Sequence, residues 1–247
     1  AVLDLPIDAM AGMVGAMDTS QILELPADAA LDMFNAMGAD TAVAGMDADS
    51  LAGIVGAIEP EALMDLGIDA LATVAAEITV EAFMEMPSEN AAGMVEAMGV
   101  GEVLSLGGEQ IAGMMGAMEG SQILDVLEPS EIAMAAEKID GQSFTAMDPD
   151  SVGTMLEAVG VEQIAADLQG DQLAGMVTAL DPEQLIEAIA PDLALEMVDK
   201  MDINSVALME SDSAAAMLET VAGDAPAAVA DMPEATLAAM FETVAAP

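Results

Sequence analysis

The chain is 247 residues long and carries 46 Asp and Glu against two Lys and no Arg, a formal net charge of −44, although 55% of it is hydrophobic. With no His, Cys, Trp or Tyr there is no imidazole base, thiolate nucleophile, zinc-finger set or disulfide framework. Two lysines cannot neutralise a nucleic-acid backbone, the apolar content sets the chain apart from disordered acidic chains, and charge-free runs of only nine residues (50–58, 110–118) predict no membrane insertion.

In chain order, the sequence opens with a short apolar piece, Val2-Leu3-Asp4-Leu5-Pro6, and no basic region precedes it, so no signal peptide is expected on this chain. The segment LPIDAMAGMVGAM (5–17) follows and then recurs as MDADSLAGIVGAI (46–58), MPSENAAGMVEAM (86–98), LGGEQIAGMMGAM (106–118) and LQGDQLAGMVTAL (168–180). Taking the sixth residue of the segment as an anchor gives Met10, Ala30, Leu51, Leu71, Ala91, Ile111, Ile132, Val152, Leu173, Ala194, Ala214 and Leu237. The steps are 20 or 21 residues, except a last one of 23, which is the mark of a repeat architecture.

Each copy reads as two helices. The first starts at a stop or cap (Pro6, Pro26, Pro87, Gly107-Gly108, Asp148-Pro149) and spaces its apolar residues as Ile111, Met114, Met115 and Met118 do. A Gly- or Asp-bearing turn leads to a shorter piece such as Ile22-Leu23, Leu63-Met64, Phe83-Met84, Ile123-Leu124 or Leu185-Ile186. Helices this short are marginal alone, so stacking must supply the core. The expectation is an all-α fold, one continuous α-solenoid domain over residues 1–247 without capping repeats, built of about twelve 20–21-residue helix-turn-helix copies. At one helix-packing distance per copy the rod would be roughly 100–120 Å long. Ala-Gly pairs at 11–12, 52–53, 92–93, 112–113 and 174–175 predict close approach of a neighbouring helix, because Gly inside a helix otherwise costs about 1 kcal/mol.

The two ends match. The opening piece resembles Ile22-Leu23-Glu24-Leu25-Pro26, the second helix of a copy, and the chain stops after Met240-Phe241-Glu242-Thr243-Val244, the end of a first helix. Joining Pro247 to the Ala1 of another chain keeps the register: Leu237 to the next Met10 is 20 residues. Such ends predict head-to-tail homopolymers, with Val2, Leu3, Leu5, Leu237, Met240, Phe241 and Val244 at the subunit junction. A longer parent chain carrying further copies is the alternative.

Two residues before the anchor stands an acid: Asp8, Asp28, Asp49, Asp69, Glu89, Glu109, Asp150, Asp171, Asp192 and Asp212. In a first helical turn such acids complement the helix dipole, and as hard oxygen donors in a row they are also candidates for weakly bound structural Ca²⁺ or Mg²⁺. Asp40, Glu61, Glu81, Glu162, Glu183 and Asp224, near the second-helix starts, could complete such sites. No other cofactor is expected. Met three residues after the anchor (Met13, Met33, Met94, Met114, Met155, Met176, Met197, Met217, Met240) predicts core packing. Lys138 and Lys200 share one repeat position and are expected to pair with acids on a neighbouring repeat or subunit.

The rhythm of MDPDSVGTMLEAV (147–159) and LDPEQLIEAI (180–189) resembles the acidic superhelical N-terminal domain of bacterial magnesium-channel proteins. That resemblance implies a right-handed solenoid of short helices and cation sensing. The chain departs from the family in lacking its many basic residues and its downstream domains. Taken together, the sequence predicts a structural, non-enzymatic subunit that self-assembles head-to-tail into an extracellular or cell-surface filament or sheath, aided by salt or divalent cations. An acidic binding module, either a cation sensor or buffer or a nucleic-acid mimic, is the second expectation.

Overall fold

The computed structural model describes residues 6–223, 229 and 232–245. It is about 77% helix, with no strand among the described residues. Longer helices of eight to twelve residues alternate with shorter ones of four to seven over most of the chain. Two compact units arise, Ala1–Leu127 and Glu128–Pro247.

In the first unit the longer helices are α1 (Ile7–Val14), α3 (Ala27–Met37), α5 (Ala48–Gly56), α6 (Ile68–Ala75), α8 (Ser88–Met98) and α10 (Gly108–Ala117). The shorter ones are α2 (Thr19–Leu23), α4 (Ala39–Gly45), a 3-10 helix (Pro60–Leu66), α7 (Val80–Met84), α9 (Val100–Val103) and α11 (Gly120–Val126). The second unit has longer helices α12 (Pro129–Ala136), α14 (Pro149–Val159), α16 (Gly170–Ala179), α18 (Pro191–Lys200), α20 (Ser211–Ala222) and α21 (Glu234–Ala245). Between them lie α13 (Gly141–Thr145), α15 (Val161–Asp167), α17 (Pro182–Ala188) and α19 (Ile203–Val206). Every anchor falls on a longer helix and is buried, except Leu237, which is half-buried.

In the turn after the longer helix, two chemical solutions recur at one position, eight residues past the anchor. Asp140 and Asp202 take extended backbone there and accept a hydrogen bond from the amide of Ser143 and Ser205, each at 2.8 Å, the standard N-cap. Gly38, Gly99 and Gly160 instead turn with φ of 74°, 76° and 90°, a region that a Cβ makes costly. Either solution frees the chain to reverse into the next short helix.

Packing within each unit is local but skips a copy. The pairs α2 with α5, α4 with α6, the 3-10 helix with α8, and α7 with α10 recur as α13 with α16, α15 with α18, α17 with α20, and α19 with α21. The short helix of a copy thus packs on the longer helix two copies along, while consecutive longer helices such as α6 and α8, or α18 and α20, also touch. This differs from the expected single stacking step per copy. The glycines follow the same rule: a Cβ on Gly113 would lie 2.6 Å from the Phe83 ring, and one on Gly175 would lie 2.0 Å from the Gly141 carbonyl oxygen.

Buried or half-buried polar side chains fasten the same joint. The residue just before the anchor donates to the carbonyl seven after the anchor, two copies earlier. Asn90 Nδ2 reaches the Ile58 oxygen at 2.6 Å, Gln110 Nε2 that of Ile78 at 3.5 Å, Gln172 Nε2 that of Ile139 at 2.7 Å, and Thr236 Oγ1 that of Met201 at 3.0 Å. Among the described residues no buried side-chain polar atom lacks a partner. The methionines three past the anchor are buried as the helical spacing predicts, Met13 alone being half-buried.

Candidate functional site

Two surfaces follow from this packing, the acidic ladder and the outer face of the last helix. The ladder residues Asp28, Asp49, Asp69, Glu89, Glu109, Asp150, Asp171, Asp192 and Asp212 are all exposed on first helical turns. There they face the positive end of the helix dipole and remain hydrated. The side chain of Asp8, and Asp224, lie outside the described residues. Among the described residues, no three or more His, Cys, Asp and Glu come together as a metal-holding group.

The structure does bring one ladder acid to a second-helix acid. Glu61 and Glu89 line an open groove of about 350 Å³, with Glu96 and Asp125 on its rim and Pro60, Met64 and Val126 among its apolar walls. A related groove of about 260 Å³ in the second unit places Glu157, Gln184 and Glu187 where the first has Glu96, Gln122 and Asp125. The positions five past one anchor and fourteen past the next therefore present carboxylates to the same opening. The rim residues escape the ladder reading because they follow a different register, visible only once a longer helix is set beside the next short one.

Within the chain, Lys200 turns to carbonyls rather than to acids. Its Nζ donates to the carbonyl oxygens of Ala165, Ala166 (2.7 Å) and Leu168 (3.4 Å), capping the end of α15. A cation at a helix C-terminus satisfies carbonyls that have no intrahelical donor. The carboxyls of two cap residues are also tuned. Hydrogen bonds from the Ser50 hydroxyl and then its amide hold Asp47 below the ordinary 3.8. At Asp202 the Ser205 amide leads, followed by the Ser205 hydroxyl.

The last helix shows the sharpest contrast in burial. Four residues past the anchor, Val14, Phe34, Val55, Ala75, Val95, Met115, Ala136, Leu156, Val177 and Val198 are all buried, Leu218 is half-buried, and Phe241 is 55% exposed. Seven past the anchor the side chain is buried in most copies, from Met37 to Val221, whereas Val244 is 37% exposed. Of the residues expected at a junction, Met240 is buried and Leu237 half-buried, and Val2, Leu3 and Leu5 lie outside the described residues. In the first copy Gly12 meets nothing among the described residues within 4 Å, although Gly53, Gly93, Gly113 and Gly175 at the same position are each covered by the short helix two copies earlier. The close approach predicted for the glycines therefore holds for these four and is open at Gly12.

Compared with protein-family models, with curated proteins and with solved structures, the chain matches none. No helix among the described residues is long and apolar enough to cross a membrane.

Proposed function

We propose that the chain is a structural α-solenoid subunit of twelve 20–21-residue copies that stacks head-to-tail with itself into an extracellular filament or sheath. The observation that carries this reading is the exposure of Phe241 and Val244 at positions that other copies bury. Gly12, open where equivalent glycines are covered, supports a matching acceptor on the first copy. A heterologous contact of this kind makes a ring if its rotation closes and a filament if it does not. Subunits that each carry −44 repel one another, so salt or a divalent cation must screen them before the apolar faces meet.

Electron microscopy and sedimentation of the purified protein across salt and Ca²⁺ or Mg²⁺ test the proposal. Fibres with an axial repeat of one subunit are expected, and Val244→Glu should abolish them while leaving the helical content of the monomer intact. Monodisperse monomers under all of these conditions would reject it.

A second reading, an acidic binding module, is supported by the two related grooves, in which carboxylates surround an apolar floor. Titration with Ca²⁺ followed by calorimetry separates the readings, since a module of this kind should bind as a monomer.

A further inference from the structure

We infer that the groove along α8 in the first unit is a docking site for a basic amphipathic helix of a partner protein, one that carries Lys or Arg at i and i+7 and apolar side chains at i+3 and i+4. The inference rests on the acidic-module reading of the grooves, to which it adds the class of partner and the residues that select it, and it is independent of head-to-tail assembly.

Glu89 and Glu96 both line the groove and are exposed. They stand seven residues apart on α8, so they share a face and lie about 10.5 Å apart along the axis. Between them, at the third and fourth positions, are Ala92 and Gly93, too small to fill the space. Of the anchored copies, this one alone has acids two before and five past the anchor with Ala-Gly between them. The 3-10 helix and α11 pack on α8 as walls, bringing Glu61 and Asp125 to the rim and Met64 to the opening. Met64 is 59% exposed, more than any other large apolar side chain among the described residues.

The charge that complements these carboxylates is absent from their unit. Residues 1–127 hold 22 Asp and Glu and no Lys or Arg, and the two lysines fall at 138 and 200. A cationic partner therefore meets no competing basic side chain there. A free divalent cation would satisfy the carboxylates but leave Met64 in water, so the apolar opening favours an amphipathic occupant. On a helix, positions i, i+3, i+4 and i+7 fall on one face with the same spacing as Glu89 and Glu96. A helix about 10–12 Å across cannot sink into about 350 Å³, so it lays that face across the opening. In the related groove of the second unit, the counterpart of Glu89 is Asp150, which already accepts a hydrogen bond from Gln184 Nε2 at 3.2 Å.

The test is fluorescence anisotropy of a labelled helical peptide of about 15 residues, with Lys at i and i+7 and Leu at i+3 and i+4, titrated with the full chain at about 0.15 M salt. A second peptide of the same composition places its leucines on the face opposite the lysines. The first should bind at least about tenfold more tightly than the second. Glu96→Gln and Met64→Gln, both at exposed positions and checked for folding by circular dichroism, should each weaken it roughly three- to tenfold. Glu77→Gln, which removes one exposed carboxylate outside the groove, should change it by less than about twofold. Equal binding of the two peptides, or an equal loss from Glu77→Gln and Glu96→Gln, overturns the inference, because bulk charge then accounts for the binding. Absence of peptide binding to a monomer that binds Ca²⁺ overturns the partner class and leaves the acidic module standing. A chain that binds neither peptide nor Ca²⁺ overturns both.

Discussion

Phe34 and Phe241 are the same side chain at the same register position, four residues past an anchor, yet one is 2% exposed and the other 55%. Phe34 sits on α3, which is packed by α1, α4 and α5, whereas Phe241 sits on α21, whose contacts come from α19 and α20 behind it. Sequence-local pattern gives both the same apolar preference, and only the following copies decide which is buried. A phenylalanine left in water forgoes roughly 1.5–3 kcal/mol of burial.

The strongest test of that contrast is truncation at both sites. Phe34→Ala should cost about 3–5 kcal/mol of monomer stability, since it opens a cavity under α5. Phe241→Ala should leave the monomer within about 0.5 kcal/mol of wild type. Denaturant melts measure both, and an equal loss at the two sites would mean that Phe241 is already covered in the free subunit. Under the proposed head-to-tail reading, Phe241→Ala should raise the critical concentration for assembly.

Glycine gives the next largest effect. A Cβ at Gly175 would overlap the Gly141 carbonyl, and the backbone of α13 would have to move. Gly175→Ala should therefore destabilise by at least about 1–3 kcal/mol, as overpacking does. Gly153 has only the Gln184 amide at 3.8 Å and Leu180 at 3.9 Å near its would-be Cβ, so Gly153→Ala should stabilise by about 0.5–1 kcal/mol through helix propensity. Two glycines on longer helices then respond with opposite sign, a difference readable in Tm.

Much of this was legible in the sequence, and what was missed has a physical reason. Anchors, alternating helix lengths, buried methionines and the Asp-Pro starts are local and periodic, so hydrophobic spacing and cap chemistry reveal them. Which copy meets which is not local. It depends on the angle of each turn, and a 20-residue period is equally compatible with stacking on the next copy or on the one after. For that reason the two-copy rule, the reach of Lys200 to the carbonyls of α15 and the pairing of groove carboxylates stayed hidden. One signal was available: Asn90, Gln110 and Gln172 interrupt an apolar register at a fixed place, and polar residues that recur beside a core anchor need buried acceptors. In the short helices, pairs such as Leu63-Met64 and Ile123-Leu124 read as wholly apolar, but only the first member is buried.

Breaking one internal fastener sharpens the contrast further. Asn90→Leu keeps side-chain volume but leaves the Val55 and Ile58 carbonyls without their side-chain donor inside the first unit. A loss of about 1–3 kcal/mol is expected, with a matching rise in amide exchange along α8 and the end of α5. A stability unchanged by Asn90→Leu would mean that apolar contact alone holds the joints between copies.

The smallest effect concerns pH, and it belongs to the helix caps. Asp47 and Asp202 have carboxyls held below 3.8 by the Ser50 and Ser205 hydrogen bonds, so their ionised caps favour the folded chain above that value. That contribution is lost only as pH falls through the lower folded values. Asp47→Asn keeps a capping oxygen without a titrating proton, so it should flatten the acid limb of the helix signal slightly, as circular dichroism would measure. An acid limb unchanged by Asp47→Asn would mean that the hydrogen bonds from Ser50 leave the stability of α5 as it is without them.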